Sequence, residues 1–448
     1  MKKVITYGTY DLLHYGHIKL LERAKALGDY LIVGVTADDF DKTRGKINVQ
    51  QSLMERIEAV RATGLADEII VEEYEGQKID DIKRYGVDIF TVGSDWVGKF
   101  DYLNEFCKVI YLDRTKGVSS TELRAEKNEL KMGIIGESVT VMSKFVSECN
   151  YVNGVKTIGI CTKNKKDLSD NLLNLPLVTD DYALLLNQVD AVFVMSHPTK
   201  HYQHIKLALE SGKHVLCESP ICLNVEECKE LFALAESKGL LLTEAIKTAY
   251  STAYNRMILL AKGGKIGEIV SVDAICTSLR EINYSDQAQL ERTWNSLSAW
   301  GPTALLPIFQ LLGTDFKQKE IISRVGNEEY KYDEFTKITF LYPHAVASIK
   351  VGKGVKSEGE LIISGTKGYI YVPAPWWKTD YFEIRYEKNE DTKRYFYQLD
   401  GEGIRYEIVA FVKSIEQGRS IVGLSNNLSK GIASIMEDYN NNRDKYVI

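Results

Sequence analysis

The sequence predicts an α/β protein: one parallel, doubly wound domain, then a second of the same kind, then an open antiparallel sheet. Three observations carry this reading. Short apolar runs alternate with helical stretches from Lys2 to about Arg124, and strands alternating with helices imply a parallel sheet with helices on its faces. The alternation restarts at "MGIIGES", Met132 to Ser138. From about Ile269 the segments lengthen and become β-rich, as an antiparallel sheet requires.

Taken in order, "VITYG", "YLIVGVT", "DEIIVEE", "DIFTVG" and "KVIYLDR" are the strands of the first domain. "IKLLERAKALG" and "QQSLMERIEAVRATG" carry helical apolar spacing between them. "TELRAEKNELK", Thr121 to Lys131, is polar and rich in helix formers, and reads as a terminal helix that doubles as a linker. "VKTIGICTK", "VDAVFVMS", "KHVLCES" and "LLLTEAI" continue the second parallel unit. "ITFLYPHAVASIKV", "GELIISG" and "YFEIRYEKN" belong to the open sheet, and "GEGIRYEIVAFVKSIEQG" and "SNNLSKGIASIMEDYNNN" are closing helices that return to the second unit. The expected domains are therefore 1–127, 131–250 and 251–448.

At 448 residues with 44% hydrophobic content, the chain can bury several cores. No apolar stretch reaches the length of a membrane span, and Met1 to Val4 runs directly into a strand, so membrane insertion is not expected and a cytoplasmic location is. The net charge of −6 offers no dominant basic face, which argues against nucleic acid as a partner. Seven cysteines are scattered without a C-x-x-C pair and are expected to be reduced and mostly buried.

"GTYDLLHYGHIKLLERAK", Gly8 to Lys25, sets His14 and His17 at a strand-to-helix turn. A zinc-binding helical pair would be spaced i, i+4 with further ligands nearby, and neither is present. Backbone N–H groups point outward at such a turn, and in a doubly wound sheet the first turn is the favoured phosphate site. A lone histidine at a helix start is ordinarily a solvated cap; two in this turn point to an anion.

The segment "GTYDLLHYGH" resembles the signature of the H-x-G-H nucleotidyltransferases. "RTKGVSST", Arg114 to Thr121, is similar to the R-T-x-G-[IV]-S-[ST]-T block of their cytidylyltransferases. "GSDWVGKFDYL", Gly93 to Leu103, resembles the G-D-D-W-x-G-K-F-D block of the glycerol-3-phosphate cytidylyltransferases, with Ser94 replacing the usual first aspartate. The resemblance implies a Rossmann-like nucleotidyltransferase domain that moves CMP from CTP, with Mg2+, onto a polyol phosphate. It implies catalytic roles for His14, His17, Lys46 and Arg114; Lys46 is preferred to Lys42 and Arg44 as the phosphate lysine. Thr9, Tyr10, Asp11, Gly16, Gly93, Asp95, Arg114, Thr115, Gly117, Ser119, Ser120 and Thr121 would bind nucleotide. Asp11, Asp38, Arg56, Trp96 and Lys99 would face the acceptor, with Asp11 and Asp38 orienting the nucleotide or holding Mg2+. Glycerol 3-phosphate is the expected acceptor, with glycerol 2-phosphate or ribitol 5-phosphate as alternatives, and CDP-glycerol would feed a teichoic-acid-like or capsular polymer.

The segment "HPTKHYQHIKLALESGKHVLCESP" resembles the glucose-fructose oxidoreductase and inositol dehydrogenase family, and the likeness extends over nearly all of 131–448. Three departures stand out. Ser219 occupies the position of the lysine in E-K-P, Gly136-Glu137-Ser138-Val139-Thr140-Val141 keeps only the first glycine of G-x-G-x-x-G, and Ala299 and Thr303 fall where D-x-G-x-[HY] has its acid and its ring. The expectation is a scaffold that contributes to a homo-oligomer. NAD(P) is doubtful as a cofactor, since Glu137 and Ser138 stand where a pyrophosphate would approach. A bifunctional transferase and polyol dehydrogenase is the alternative, and Thr162 and Lys163 would leave room for an NADP phosphate.

Overall fold

The computed structural model describes residues 1–37, 49, 51–74, 76–113, 129–152, 154–165, 168–280, 283–285, 294–327, 332–397, 399–418, 424–442, 446 and 448. The chain divides into two compact units, Met1–Glu129 and Leu130–Ile448. The second and third sequence domains thus fold as one body.

In the first unit, β1 (Lys3–Gly8), β2 (Tyr30–Thr36), β3 (Glu68–Glu72), β4 (Ile89–Gly93) and β5 (Lys108–Leu112) form a sheet in the order β3-β2-β1-β4-β5. All four pairings are parallel. Helices α1 (Tyr15–Lys25), α2 (Leu53–Ala62) and α3 (Gln77–Tyr85) connect the strands. Successive strand residues point to opposite faces: Val4, Leu31, Val33 and Ile89 pack with Leu21, Ala24, Ile57 and Val60, while Ile5, Ile32 and Phe90 pack with Ile82, Phe100 and Leu103. Because both faces are covered, the strands read as continuous apolar runs rather than as alternations. Order reverses beside β1, so the ends of β1, β2 and β4 open one crevice.

The second unit begins with β6 (Leu130–Gly136), β7 (Val155–Cys161), β8 (Leu177–Thr179), β9 (Ala191–Met195), β10 (His214–Glu218) and β11 (Leu242–Ala245), ordered β11-β10-β9-β6-β7-β8 and all parallel. Its longer helices are α4 (Val139–Cys149), α5 (Pro198–Glu210), α6 (Val225–Ser237) and α7 (Thr252–Lys262).

A nine-stranded sheet comes next, comprising β12 (Ile269–Leu279), β13 (Gln318–Asn327), β14 (Tyr332–Leu341), β15 (Val346–Gly352), β16 (Gly354–Val355), β17 (Leu361–Gly365), β18 (Tyr369–Val372), β19 (Tyr381–Arg385) and β20 (Lys393–Phe396). It is mixed rather than purely antiparallel: Ser271–Thr277 of β12 runs parallel to Val346–Gly352 of β15. Parallel neighbours need a crossover. Helix α8 (Ser296–Leu312) supplies part of it, and the β13-β14-β15 meander then brings β15 back beside β12.

Helices α9 (Ile404–Gln417) and α10 (Asn426–Asn441) close the unit. Glu437 of α10 accepts from Asn224 Nδ2 (2.9 Å) and Val225 N (3.1 Å), tying the chain's end to the start of α6. Arg405 of α9 pairs with Glu148 of α4 at 3.0 Å. These returns tie the closing helices to the parallel half, and Lys319 of β13 pairs with Asp438 of α10 at 3.1 Å, joining them to the nine-stranded sheet. All seven cysteines are free thiols, six of them buried. No described helix is long and apolar enough to cross a membrane.

Candidate functional site

The turn from β1 into α1 brings the two histidines together. His14 is the N-cap of α1, with extended backbone, and its Nδ1 accepts the Gly16 N–H at 3.0 Å. A ring nitrogen that accepts has no proton, so the neutral His14 carries its proton on Nε2 and presents a donor there. His17 lies one helical turn on, and residues three apart share a face. The rings stack at 3.9 Å between centroids and 25° between planes, and Tyr10 meets His17 edge-on at 5.6 Å. Gly16 therefore serves first as the donor that fixes the His14 ring.

The loop before the cap is strained. Tyr10 and Leu12 have φ of 51° and 48°, a left-handed conformation that costs non-glycine residues of order 1–3 kcal/mol each. Two contacts hold it: Asp11 Oδ1 accepts from Gln51 N at 3.0 Å, and Leu12 N donates to Gln51 Oε1 at 2.8 Å. Beneath the loop, Arg56 is fully buried. Its Nη1 donates to the carbonyls of Thr9 (2.7 Å) and Thr36 (2.8 Å), and its Nε to that of Gln51 (3.2 Å). These bonds place the guanidinium under the crevice, where it clasps the ends of β1 and β2 to the start of α2. Three backbone carbonyls thus share the charge, the one at each strand end and that of Gln51.

At the end of β4, Gly93 leads into a short turn, Ser94–Trp96. Asp95 and Lys99 are exposed and Trp96 is half-buried. The Lys99 ammonium lies 5.2 Å from the Trp96 ring centroid, and Trp96 packs on Phe100 at 5.8 Å. Asp38, Lys46, Arg114, Thr115, Gly117, Ser119, Ser120 and Thr121 lie outside the described residues, as does most of the expected terminal helix.

Sequence reasoning missed a buried polar network beside this crevice. Glu72 ends β3 and is wholly buried; it pairs with Lys78 on the first turns of α3 and accepts from Thr36 Oγ1 at 2.9 Å. The Lys78 ammonium also lies 4.7 Å from the Tyr7 ring and 5.5 Å from that of Phe100. Tyr7 donates to Asp81 at 2.8 Å, and burial, then the Asp81 charge, raise its phenol pKa. The available signal was the polar cluster "EGQKIDD" directly after a strand.

In the second unit, Ser219 donates to Glu244, which also accepts from Ser429. Glu218, at the end of β10, makes no hydrogen bond through its side chain among the described residues. Burial raises its carboxyl to about 7, against the pull of the Lys247 charge. At the first turn, Glu137 accepts from Thr162 Oγ1 at 3.2 Å, which ties its carboxylate to the end of β7. Ala299 and Thr303 lie in α8, whose Trp300 packs on Trp377 at 4.9 Å. His201 is buried between the carbonyls of Pro220 (2.8 Å) and Ser196 (2.6 Å), and His204 meets Ser196 Oγ at 2.8 Å.

Residues 5–126 match the cytidylyltransferase-like family, and residues 130–246 match an oxidoreductase family with an NAD-binding Rossmann fold. The chain is 51% identical over 130 residues to the glycerol-3-phosphate cytidylyltransferase of Bacillus spizizenii, covering 29% of this chain and 100% of that one. It is 48% identical over 130 residues to the enzyme of the same name from Staphylococcus aureus, covering 28% and 95%. Among solved structures, KijD10, a 3-ketoreductase from Actinomadura kijaniata, aligns at a TM-score of 0.62 with 18% identity, over 71% of this chain and 98% of that one. At that identity the likeness shows the fold alone.

Proposed function

Since the chain belongs through its first 130 residues to the glycerol-3-phosphate cytidylyltransferases and continues as an oxidoreductase-like domain, we propose that it transfers CMP from CTP to glycerol 3-phosphate, yielding CDP-glycerol and pyrophosphate. The stacked His14–His17 pair at the amino end of α1 is the observation that carries the reading. An acceptor phosphate oxygen attacks the α-phosphorus, the bond to the β-phosphate oxygen breaks, and pyrophosphate leaves with the electron pair. Negative charge accumulates at the α-phosphoryl oxygens, and donors fixed in advance stabilise it. His14 meets that need with Nε2–H, held by the Gly16 bond, and His17 adds a second ring on the same face. Lys46 and Arg114 are proposed to brace the β- and γ-phosphates, and Ser119, Ser120 and Thr121 to add hydroxyls. Mg2+ enters with CTP as part of the substrate and offsets the triphosphate charge; Asp11 and Asp38 are the acids proposed to orient that complex.

Trp96 and Lys99 at the end of β4 are proposed to face the acceptor. Ser94 alters this block, which favours a second reading with another polyol phosphate. The second unit is proposed as a non-catalytic scaffold and subunit contact, supported by Ser219, Ala299, Thr303 and the Glu137–Thr162 bond. An activated glycerol phosphate suits polymer synthesis at the cytoplasmic side of a cell wall or capsule. The test is pyrophosphate release from CTP with a panel of polyol phosphates; turnover with none of them overturns the proposal.

A further inference from the structure

A second cluster of charge lies where the amino end of α5 meets the nine-stranded sheet, and nothing in cytidylyl transfer uses it. Lys353, just past β15, is only 6% exposed. Its ammonium has one hydrogen-bond acceptor among the described residues, the Trp294 carbonyl at 2.5 Å, and Tyr332 also donates to that carbonyl at 3.0 Å. Two of its three N–H bonds are therefore left over, and a buried cation short of acceptors is costly.

Among the described residues, no carboxylate bonds to it. Asp333 is the acid within range, but it caps α8, accepting from Ser296 N (3.0 Å) and Leu297 N (3.1 Å), and takes the Thr336 hydroxyl at 2.6 Å. Glu334 is engaged by Tyr284 and Arg324. Arg280 is exposed at the end of β12, and its backbone N–H donates to the Lys353 carbonyl at 2.9 Å, so the two residues leave adjacent strand ends side by side. From the opposite wall come His197, the N-cap of α5, and exposed Lys200. The His197 ring meets Trp294 edge-on at 6.5 Å, and its pKa is lowered by burial, then by the charges of Lys200 and Lys353. Burial and the Arg280 charge likewise bring Lys353 down to about 8. Cations on three elements thus lie within electrostatic reach of one another, beside a carboxylate that neutral donors hold, the arrangement expected of a seat for an anion.

We propose that this place binds the oxyanion group of a small metabolite, a phosphate ester or a carboxylate, with Lys353 and Arg280 as its donors beside Trp294. The site gives the second unit a ligand of its own without requiring hydride chemistry, and it stands independently of the transfer reaction.

Calorimetric titration of the full chain with inorganic phosphate, acetate, glycerol 3-phosphate and glycerol tests it. The first unit takes phosphate-bearing ligands too, so the variants isolate the second site. For one saturable site, Lys353→Met is expected to weaken oxyanion binding about tenfold or more, and Arg280→Gln several-fold. Exposed Arg280 can be replaced without disturbing the fold, so it decides the matter should Lys353→Met unfold. Saturation by acetate rather than phosphate, with the same sensitivity to the variants, assigns a carboxylate ligand to the same site. Binding by both variants equal to wild type, or binding of glycerol as tight as that of glycerol 3-phosphate, overturns the proposal. Pyrophosphate release is expected to be unchanged in both variants; its absence in the wild-type chain would count against the transfer reaction and leave this site standing.

Discussion

Replacing Glu72 by Gln tests the network beside the crevice. Glu72 is 0% and Lys78 7% exposed, so the substitution strips a buried ammonium of its paired carboxylate. Breaking a buried pair from one side costs about 3–5 kcal/mol, because the remaining charge is stranded in a poor solvent. The Tyr7 and Phe100 rings stay beside the ammonium in either case. The double variant Glu72→Gln/Lys78→Met removes both charges and is expected to recover most of the loss, giving a coupling energy of about 2 kcal/mol or more. Urea unfolding of residues 1–129 is the assay, since relatives of this length exist as whole proteins. A Glu72→Gln loss below about 1 kcal/mol, the range of an exposed pair, would refute the argument. Because Thr36 both donates to Glu72 and offers its carbonyl to Arg56, the single variant is also expected to raise KM for CTP.

Other consequences are as direct. His14→Ala and His17→Ala are each expected to lower the rate of pyrophosphate release about a hundredfold or more while circular dichroism is unchanged; near-wild-type rates would remove both from the chemistry. CTP is expected to outcompete ATP, GTP and UTP in the same assay. Glu218 has its carboxyl raised from the usual 4.5 to about 7, so the folded second unit favours the neutral form. Its contribution to stability is therefore lost as pH rises from about 4.5 through 7, and Glu218→Gln should flatten that slope in unfolding midpoints measured across a pH series. Residues 1–129 alone are expected to retain transfer, and titration of the full chain with NADH and NADPH should give no hydride transfer to polyol aldehydes or ketones; measurable reduction would make the chain bifunctional.

The two parallel sheets were legible because continuous apolar strands and intervening helices leave a strong periodic trace, and "HYGH" names its own place at the end of β1. Other features were not. Nothing local in "MERIEAV" tells that Arg56 points inward, since its partners are carbonyls contributed by Thr9, Thr36 and Gln51, far apart in sequence. The Glu72–Lys78 pair is likewise hidden: both residues belong to a polar run that normally means a surface. The parallel pairing of β12 with β15 depends on a crossover helix and a meander spanning dozens of residues, which no window of periodicity can see. Of the phosphate-binding residues expected from "RTKGVSST", the described structure holds only the preceding carbonyl, Asp113, bonded to Arg23 at 2.7 Å.

The Arg56 clasp has a consequence for motion. One side chain joins the end of β1, the end of β2 and the residue before the α2 cap, and Gln51 returns two bonds to the loop that precedes His14. These segments cannot open singly without breaking bonds to a buried cation, so they form one cooperative opening unit. In hydrogen exchange, the amides of Leu12, Gly16, Gln51 and Arg56 should share one opening free energy, and CTP should raise it equally for all four.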